Sequence, residues 1–333
     1  MSICSDCDKE LPAVDHLRLY TKIAYLYYRE GLTQQGIADR LEVSRQSVGR
    51  ILKKAEEEGI VSVSINSPLL RSIDGSEAAL ERRFGLREAV VVSPLDDSEA
   101  AIKAAIGEAA ASLVSQRVAE GSTIAVSWSS TVYECARALP DNRALGASVV
   151  MLNGSLDRTD IPTGGERIIK AFADSFGGQS FILPAPMIVD SPGIKRSLLS
   201  DSRFGSIYEA ACRADYCVFG VGEISERSSL YQTGYVSAEL LARLKAAGAV
   251  GEVCGKFYDA AGRICIPSLD DSTIAVPLES LRQRKLSIAL AGGERKVEAL
   301  LGLLRGGYCS VLVTTEETAR ALLAAGQGKP HEN

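Results

Sequence analysis

The sequence is poor in histidine: among 333 residues only His16 and His331 carry an imidazole. One lies near the start and the other near the end, so no mid-chain histidine can complete a Ser-His-Asp or Cys-His arrangement. Long apolar runs are also missing. No stretch approaches the roughly eighteen uninterrupted apolar residues of a membrane span. Even the alanine-rich segment 100–119 is broken by Lys103, Glu108 and Arg117. The opening MSICSDCDKELP is polar and acidic and lacks the apolar centre of a signal peptide. A cytoplasmic protein with no membrane partner is expected.

Nucleotide-binding signatures are absent as well. Neither GxGxxG nor GxxxxGKS/T occurs, which argues against a dinucleotide or P-loop site. The eight cysteines are scattered, as suits a reducing compartment and not a disulfide framework. Cys4 and Cys7 form a lone CxxC with no second pair, and read as two thiols in a flexible tail. No metal and no cofactor is expected. The net charge of −5 excludes a chain that coats nucleic acid along its whole surface.

What is present is a local excess of positive charge. Between Arg40 and Lys54 stand Arg40, Arg45, Arg50, Lys53 and Lys54 against Glu42 alone. Around them the spacing predicts three short helices. Leu17, Tyr20, Ile23, Ala24 and Tyr27 recur at helical intervals before Gly31. Thr33 is a natural N-cap for a second helix over 34–41, with Ile37, Ala38 and Leu41 inward. Ser44 caps a third, buried through Val48, Ile51, Leu52 and Ala55 and ended by Gly59. The alternating VSVSI at 61–65 reads as a strand-like wing.

The third helix leaves Arg45, Gln46, Ser47, Gly49, Arg50 and Lys53 outside its apolar stripe. Arginine suits guanine edges and glutamine adenine edges, while serine and lysine reach phosphates. Arg45, Gln46 and Arg50 are therefore assigned to bases, and Ser44, Ser47 and Lys53 to the same DNA interface. Thr33 and Gln34 open the second helix, where its dipole favours a phosphate. Any small three-helix unit is amphipathic, but the tight turn, the paired caps and the basic excess together indicate a helix-turn-helix binding double-stranded operator DNA.

Domain 15–66 is followed by a connector at 67–87 and a larger domain at 88–326, with tails at 1–14 and 327–333. In the larger domain short β-rich runs alternate with helices, which predicts an α/β fold with a mostly parallel, Rossmann-like sheet. Strands are expected at 89–93, 123–128, 148–153, 180–185, 216–222, 252–259, 272–278, 286–292 and 309–314. Asp259–Gly262 looks like a hairpin turn and implies a local antiparallel excursion. Ligands of such sheets bind beyond the strand carboxyl ends. Three of those junctions carry suitable chemistry. Ser127-Trp128-Ser129-Ser130-Thr131 offers hydroxyls at a helix start, Gly220-Val221-Gly222-Glu223 offers close backbone approach, and Ala291-Gly292-Gly293-Glu294-Arg295-Lys296 offers a lysine.

The stretch LYYREGLTQQGIADRLEVSRQSVGRILKKAEEEGIVSVSI resembles the N-terminal domain of the SorC family of sugar-responsive bacterial transcriptional regulators. The likeness continues through IAVSWSSTV, GGERIIKAFADSFGG, LPAPMIVDSP, FGVGEIS, VGEVCGKFYDAAG and the segment from ALAGGERK to ETARALL, nearly the whole chain. It implies a sugar-binding domain related in fold to phosphosugar isomerases, and an effector that is commonly a phosphorylated sugar. It also implies that Ser127, Ser129 and Thr131, then Asp259 and Lys296, hold that effector, with Ser130, Glu166, Gly222, Glu223, Gly292 and Gly293 beside them. A dimer or tetramer is implied too.

This chain departs from the family pattern at two places. Glu42 stands where a glycine is usual, and a positive φ would cost it about 1 kcal/mol. Gly36 replaces a better helix former at up to about 1 kcal/mol. One relative uses a lysine Schiff base on the strand corresponding to VVMLNG; here that strand ends in Asn153, so reversible, non-covalent binding is expected. Glu223, Asp259 and Glu294 have the chemistry for proton transfer, which keeps a phosphosugar isomerase-like enzyme with a DNA-binding domain as the alternative. Leu80, Phe84 and Leu86 are assigned to internal packing or to an interface between copies.

Overall fold

A computed structural model describes residues 13–61, 75–155 and 164–325. The wing beyond Val61, the CxxC at Cys4 and Cys7, and the tail carrying His331 lie outside those residues. The chain divides into two compact units, Met1–Leu70 and Arg71–Asn333. No helix among the described residues is long and apolar enough to cross a membrane.

The first unit contains α1 (Ala13–Tyr28), α2 (Gln34–Leu41) and α3 (Arg45–Glu57). Local chemistry sets the two connections. Gly31 turns left-handed after α1 at φ 67°. Thr33 accepts a hydrogen bond from the Gly36 amide at 3.1 Å, and Ser44 accepts one from the Ser47 amide at 3.1 Å. Both are side-chain caps of the kind that satisfies a free helix donor. Glu42 closes α2 with φ 54° and ψ 39°, so the left-handed conformation falls on a non-glycine residue. Ile23, Ile37, Val48 and Ala55 meet in a fully buried core. On α1 the buried stripe is Tyr20, Ile23, Ala24 and Leu26. Leu17 and Tyr27, which the helical spacing placed inward, lie outside that arc and are exposed.

The second unit opens with α4 (Ser76–Phe84), β1 (Glu88–Val92), α5 (Glu99–Arg117), β2 (Thr123–Val126), α6 (Ser130–Ala138) and β3 (Ser148–Met151). Next come α7 (Gly165–Phe176), β4 (Ser180–Phe181), α8 (Pro192–Ser200), α9 (Ser202–Arg213), β5 (Tyr216–Gly220) and β6 (Gly222–Glu223). After α10 (Ser229–Gln232) and α11 (Ala238–Ala246) follow β7 (Ala249–Val253), β8 (Lys256–Asp259), α12 (Pro267–Asp270) and α13 (Leu278–Leu281). The unit ends with β9 (Leu286–Leu290), α14 (Val297–Arg305), β10 (Val311–Thr315) and α15 (Glu316–Ala325).

Seven strands form an all-parallel sheet in the order β1-β10-β9-β5-β2-β3-β4. Successive residues alternate between two cores, as the pleat requires. Ala125, Cys217, Phe219 and Leu312 face α4, α9, α14 and α15, whereas Ile124, Val126, Val218 and Val313 face α5, α6 and α7. Leu80 and Leu86 are buried in the first of these cores and Phe84 packs on it, so the stretch read as a connector supplies a helix to the second unit. That helix also protects the edge strand β1. Glu81 accepts from the Ala89 amide at 2.9 Å and Glu77 from the Val91 amide at 2.8 Å, satisfying donors that an edge leaves open.

Three expected strands take a different form. The run 252–259 is a hairpin, because Cys254 and Gly255 both adopt positive φ, 55° and 76°. This two-residue turn joins β7 to β8 in an antiparallel sheet ordered β6-β7-β8. The turn after Asp259 also forms, with the Gly262 amide donating to the Asp259 carbonyl. Residues 272–278 make no strand and only isolated bridges, Ile188 with Thr273 and Asn153 with Ala275. Of 180–185, only Ser180–Phe181 pairs.

Candidate functional site

On the first unit, α3 begins at the Ser44 cap and turns Arg45, Gln46, Arg50 and Lys53 to solvent. Arg45 and Gln46 make no hydrogen bond or ion pair among the described residues, whereas the Arg50 guanidinium donates weakly to Ser47 at 3.4 Å. Thr33 and Ser44 spend their side-chain oxygens on capping. Thr33, Gln34 and Arg45 border one shallow groove. The arrangement presents positive charge and free donors along one helix, which is what major-groove readout needs.

On the second unit, chain topology decides where a ligand site forms. From β2 the chain crosses outward to β3, and from β5 it crosses the other way to β9. The reversal leaves a crevice beyond the carboxyl ends of β2, β5 and β9. A cavity of about 440 Å³ lies there. It brings together all three of the junction loops expected from the sequence: Ser127 to Thr131, Gly220 to Glu223, and Ala291 to Lys296. Asn153 also lines it.

The cavity holds several unmatched polar groups. Ser129 caps α6 by accepting from the Val132 amide at 3.1 Å. The next two amides, of Ser130 and Thr131, have no acceptor within the helix. The hydroxyls of Ser130 and Thr131 make no hydrogen bond among the described residues. Asn153 is 1% exposed; its amide nitrogen donates to the Gly154 carbonyl at 3.0 Å, while its Oδ1 has no partner among the described residues. The Lys296 ammonium likewise makes no ion pair or hydrogen bond among the described residues. Burial lowers its pKa, and Glu223 and Glu252 partly restore it.

Ion pairs tie the cavity loops to one another. Glu99, at the start of α5, binds Lys103 and the Arg295 guanidinium, the latter at 3.3 Å. Arg295 also lies 3.9 Å from Glu223, whose other oxygen accepts from Ser225. Trp128 donates its indole N–H to the Gly154 carbonyl at 3.2 Å and so fixes the hydroxyl loop to the end of β3. Glu252 on β7 accepts from the Gly255 amide at 2.9 Å, and burial raises its pKa.

Two expected site residues are not among the cavity-lining residues. Asp259 stands at the far end of β8, where it accepts from the amides of Ala261 and Arg263 and pairs with the Arg263 guanidinium at 2.9 Å. Its oxygens are committed to shaping that turn. Glu166 is exposed on the first turn of α7. Glu252, by contrast, lines the cavity and was not assigned from the sequence, because reading 252–259 as one strand hid the turn that places it there.

A family model described as "Putative sugar-binding domain" matches residues 70–324. A MarR family model matches residues 23–66. The "Deoxyribonucleoside regulator" of Bacillus subtilis (strain 168) is 36% identical over 307 residues, covering 92% of this chain and 97% of that protein. The "Sorbitol operon regulator" of Klebsiella pneumoniae is 30% identical over 312 residues, covering 93% of this chain and 98% of that one. The crystal structure of the full-length sorbitol operon regulator SorC from Klebsiella pneumoniae matches with a TM-score of 0.71 at 30% identity, covering 93% and 99% of the two chains.

Proposed function

The chain belongs to the SorC family of sugar-binding transcriptional regulators, and from that premise we propose that it controls a carbohydrate or polyol catabolic operon through reversible binding of a sugar phosphate. Like its curated relatives it is a regulator and not an enzyme.

The observation that carries the effector reading is the pairing of unmatched groups in one cavity. Lys296 and the first amides of α6 call for an anion, and the buried Asn153 Oδ1 calls for a hydroxyl donor. A sugar phosphate has both ends. No lysine follows β3, which favours non-covalent binding. Effector binding shifts the population between arrangements of the sugar domain and thereby alters paired DNA-binding units. One helix-turn-helix reads few base pairs, so a cytoplasmic dimer or tetramer acts on a near-palindromic operator. The DNA-binding domain spans 15–66, and the effector domain takes in 88–326 together with the helix α4 packed into its core.

A thermal-shift screen with sugars, polyols and their phosphates tests this reading. A ligand at a hundredfold its Kd stabilises by about 2.7 kcal/mol. Stabilisation by a phosphorylated sugar, greater than by its unphosphorylated counterpart, is the expected result. No response to any member of the panel contradicts it.

A further inference from the structure

The groove on the first unit contains a side chain that neither core packing nor the recognition helix explains. Tyr27, on the last turn of α1, borders the same groove of about 540 Å³ as Thr33, Gln34 and Arg45. It is 36% exposed and takes no part in the apolar core of the unit. Its phenol makes no hydrogen bond among the described residues. Yet the ring is supported. It meets the edge of Tyr28 with centroids 5.0 Å apart and planes at 88°. Tyr28 in turn donates its hydroxyl to Glu56 at 2.6 Å, bracing the end of α1 against the end of α3.

The groove collects donors and no carboxylate. The first amides of α2 have no acceptor within the helix, and the positive end of its dipole faces outward there. Tyr27 adds a phenolic O–H, and the neighbouring Arg45 guanidinium, itself assigned to bases, keeps the groove positive. Phosphate oxygens are the acceptors that suit such a set, and phosphate contacts fix register on a duplex without reading sequence. We propose that Tyr27 is a phosphate-contact residue of the DNA interface and that Tyr28, locked on Glu56, is the positioning residue that holds its ring. The inference rests on the DNA-binding reading.

Binding of the full-length chain is measured by fluorescence anisotropy on two 24-bp duplexes. One has a sequence that the wild-type chain selects from a random pool, and the other is scrambled. Tyr27→Phe keeps the ring and removes one donor. It weakens both duplexes by a similar factor, about tenfold to a hundredfold for one hydrogen bond to an ionised group, and leaves their ratio unchanged. On a selected duplex carrying a neutral methylphosphonate at the contacted position, Tyr27→Phe causes no further loss. Tyr28→Phe weakens binding in the wild-type background but not in Tyr27→Phe. Equal binding by Tyr27→Phe and wild type on both duplexes, or a loss confined to the selected sequence, overturns the assignment. A methylphosphonate scan in which Tyr27→Phe always costs the same overturns it too. A wild-type chain that binds neither duplex overturns the DNA-binding reading and this inference with it.

Discussion

Gly222 lies directly against the carboxylate of Glu252: a β-carbon at position 222 would come within 2.0 Å of Glu252 Oε1. The flexible carboxylate would have to swing away from its place in the cavity wall. Gly222→Ala is therefore expected to leave the fold intact and to abolish the thermal stabilisation given by whichever sugar phosphate stabilises the wild type. Unchanged stabilisation in Gly222→Ala would show that the position of Glu252 does not matter to the ligand.

Burial raises the Glu252 carboxyl above its ordinary value of 4.5, with the Gly255 amide and Lys296 pulling the other way. The folded protein thus binds this proton more tightly than the unfolded chain does. The stability it contributes is complete below the unfolded value and is lost as pH rises through the higher folded value. Glu252→Gln removes that loss. Its thermal midpoint should gain on the wild type as pH rises from about 4.5 towards neutrality. A difference that stays flat over this window refutes the assignment.

Glu42 holds a left-handed backbone, which costs an L-residue with a β-carbon about 1 kcal/mol or more. Glycine relieves most of that cost, offset in part by the entropy it loses on folding. Glu42→Gly should slow amide exchange in α2 and α3 by up to about fivefold, a fraction of that cost. Faster exchange would mean that the Glu42 side chain stabilises the turn in a way the backbone does not reveal.

The free donors of Arg45 and Gln46 are assigned to bases. Arg45→Ala and Gln46→Ala should each reduce the preference for a selected duplex over a scrambled one, by about 1–3 kcal/mol per lost bidentate contact. Lys53→Ala should weaken both duplexes alike and lower the salt slope by about 1. Discrimination unchanged by Arg45→Ala and Gln46→Ala would move the reading surface elsewhere.

The three helices of the first unit were legible because caps and breakers are local signals: Thr33, Ser44 and Gly31 act within a few residues of their own position. The convergence of the loops after β2, β5 and β9 was legible because a parallel sheet gathers strand ends whatever their order. Glu252 was not, since its placement depends on Cys254 adopting a positive φ, for which cysteine carries no sequence signal. Asp259 enters the expected site only through the family resemblance. Only the fold reveals that Arg263 and two amides occupy its oxygens. The Glu99–Arg295–Glu223 contacts join residues far apart in the chain, beyond the reach of any local pattern.

A phosphorylated ligand in the cavity beside Lys296 is proposed to change DNA binding by the other unit. The most direct test is a titration of the protein–duplex complex, followed by anisotropy, with the sugar phosphate that gives the largest thermal shift. The expected result is a change in DNA affinity in the wild type that is absent in Lys296→Ala, with DNA binding by that variant otherwise normal. A full response in Lys296→Ala would contradict it.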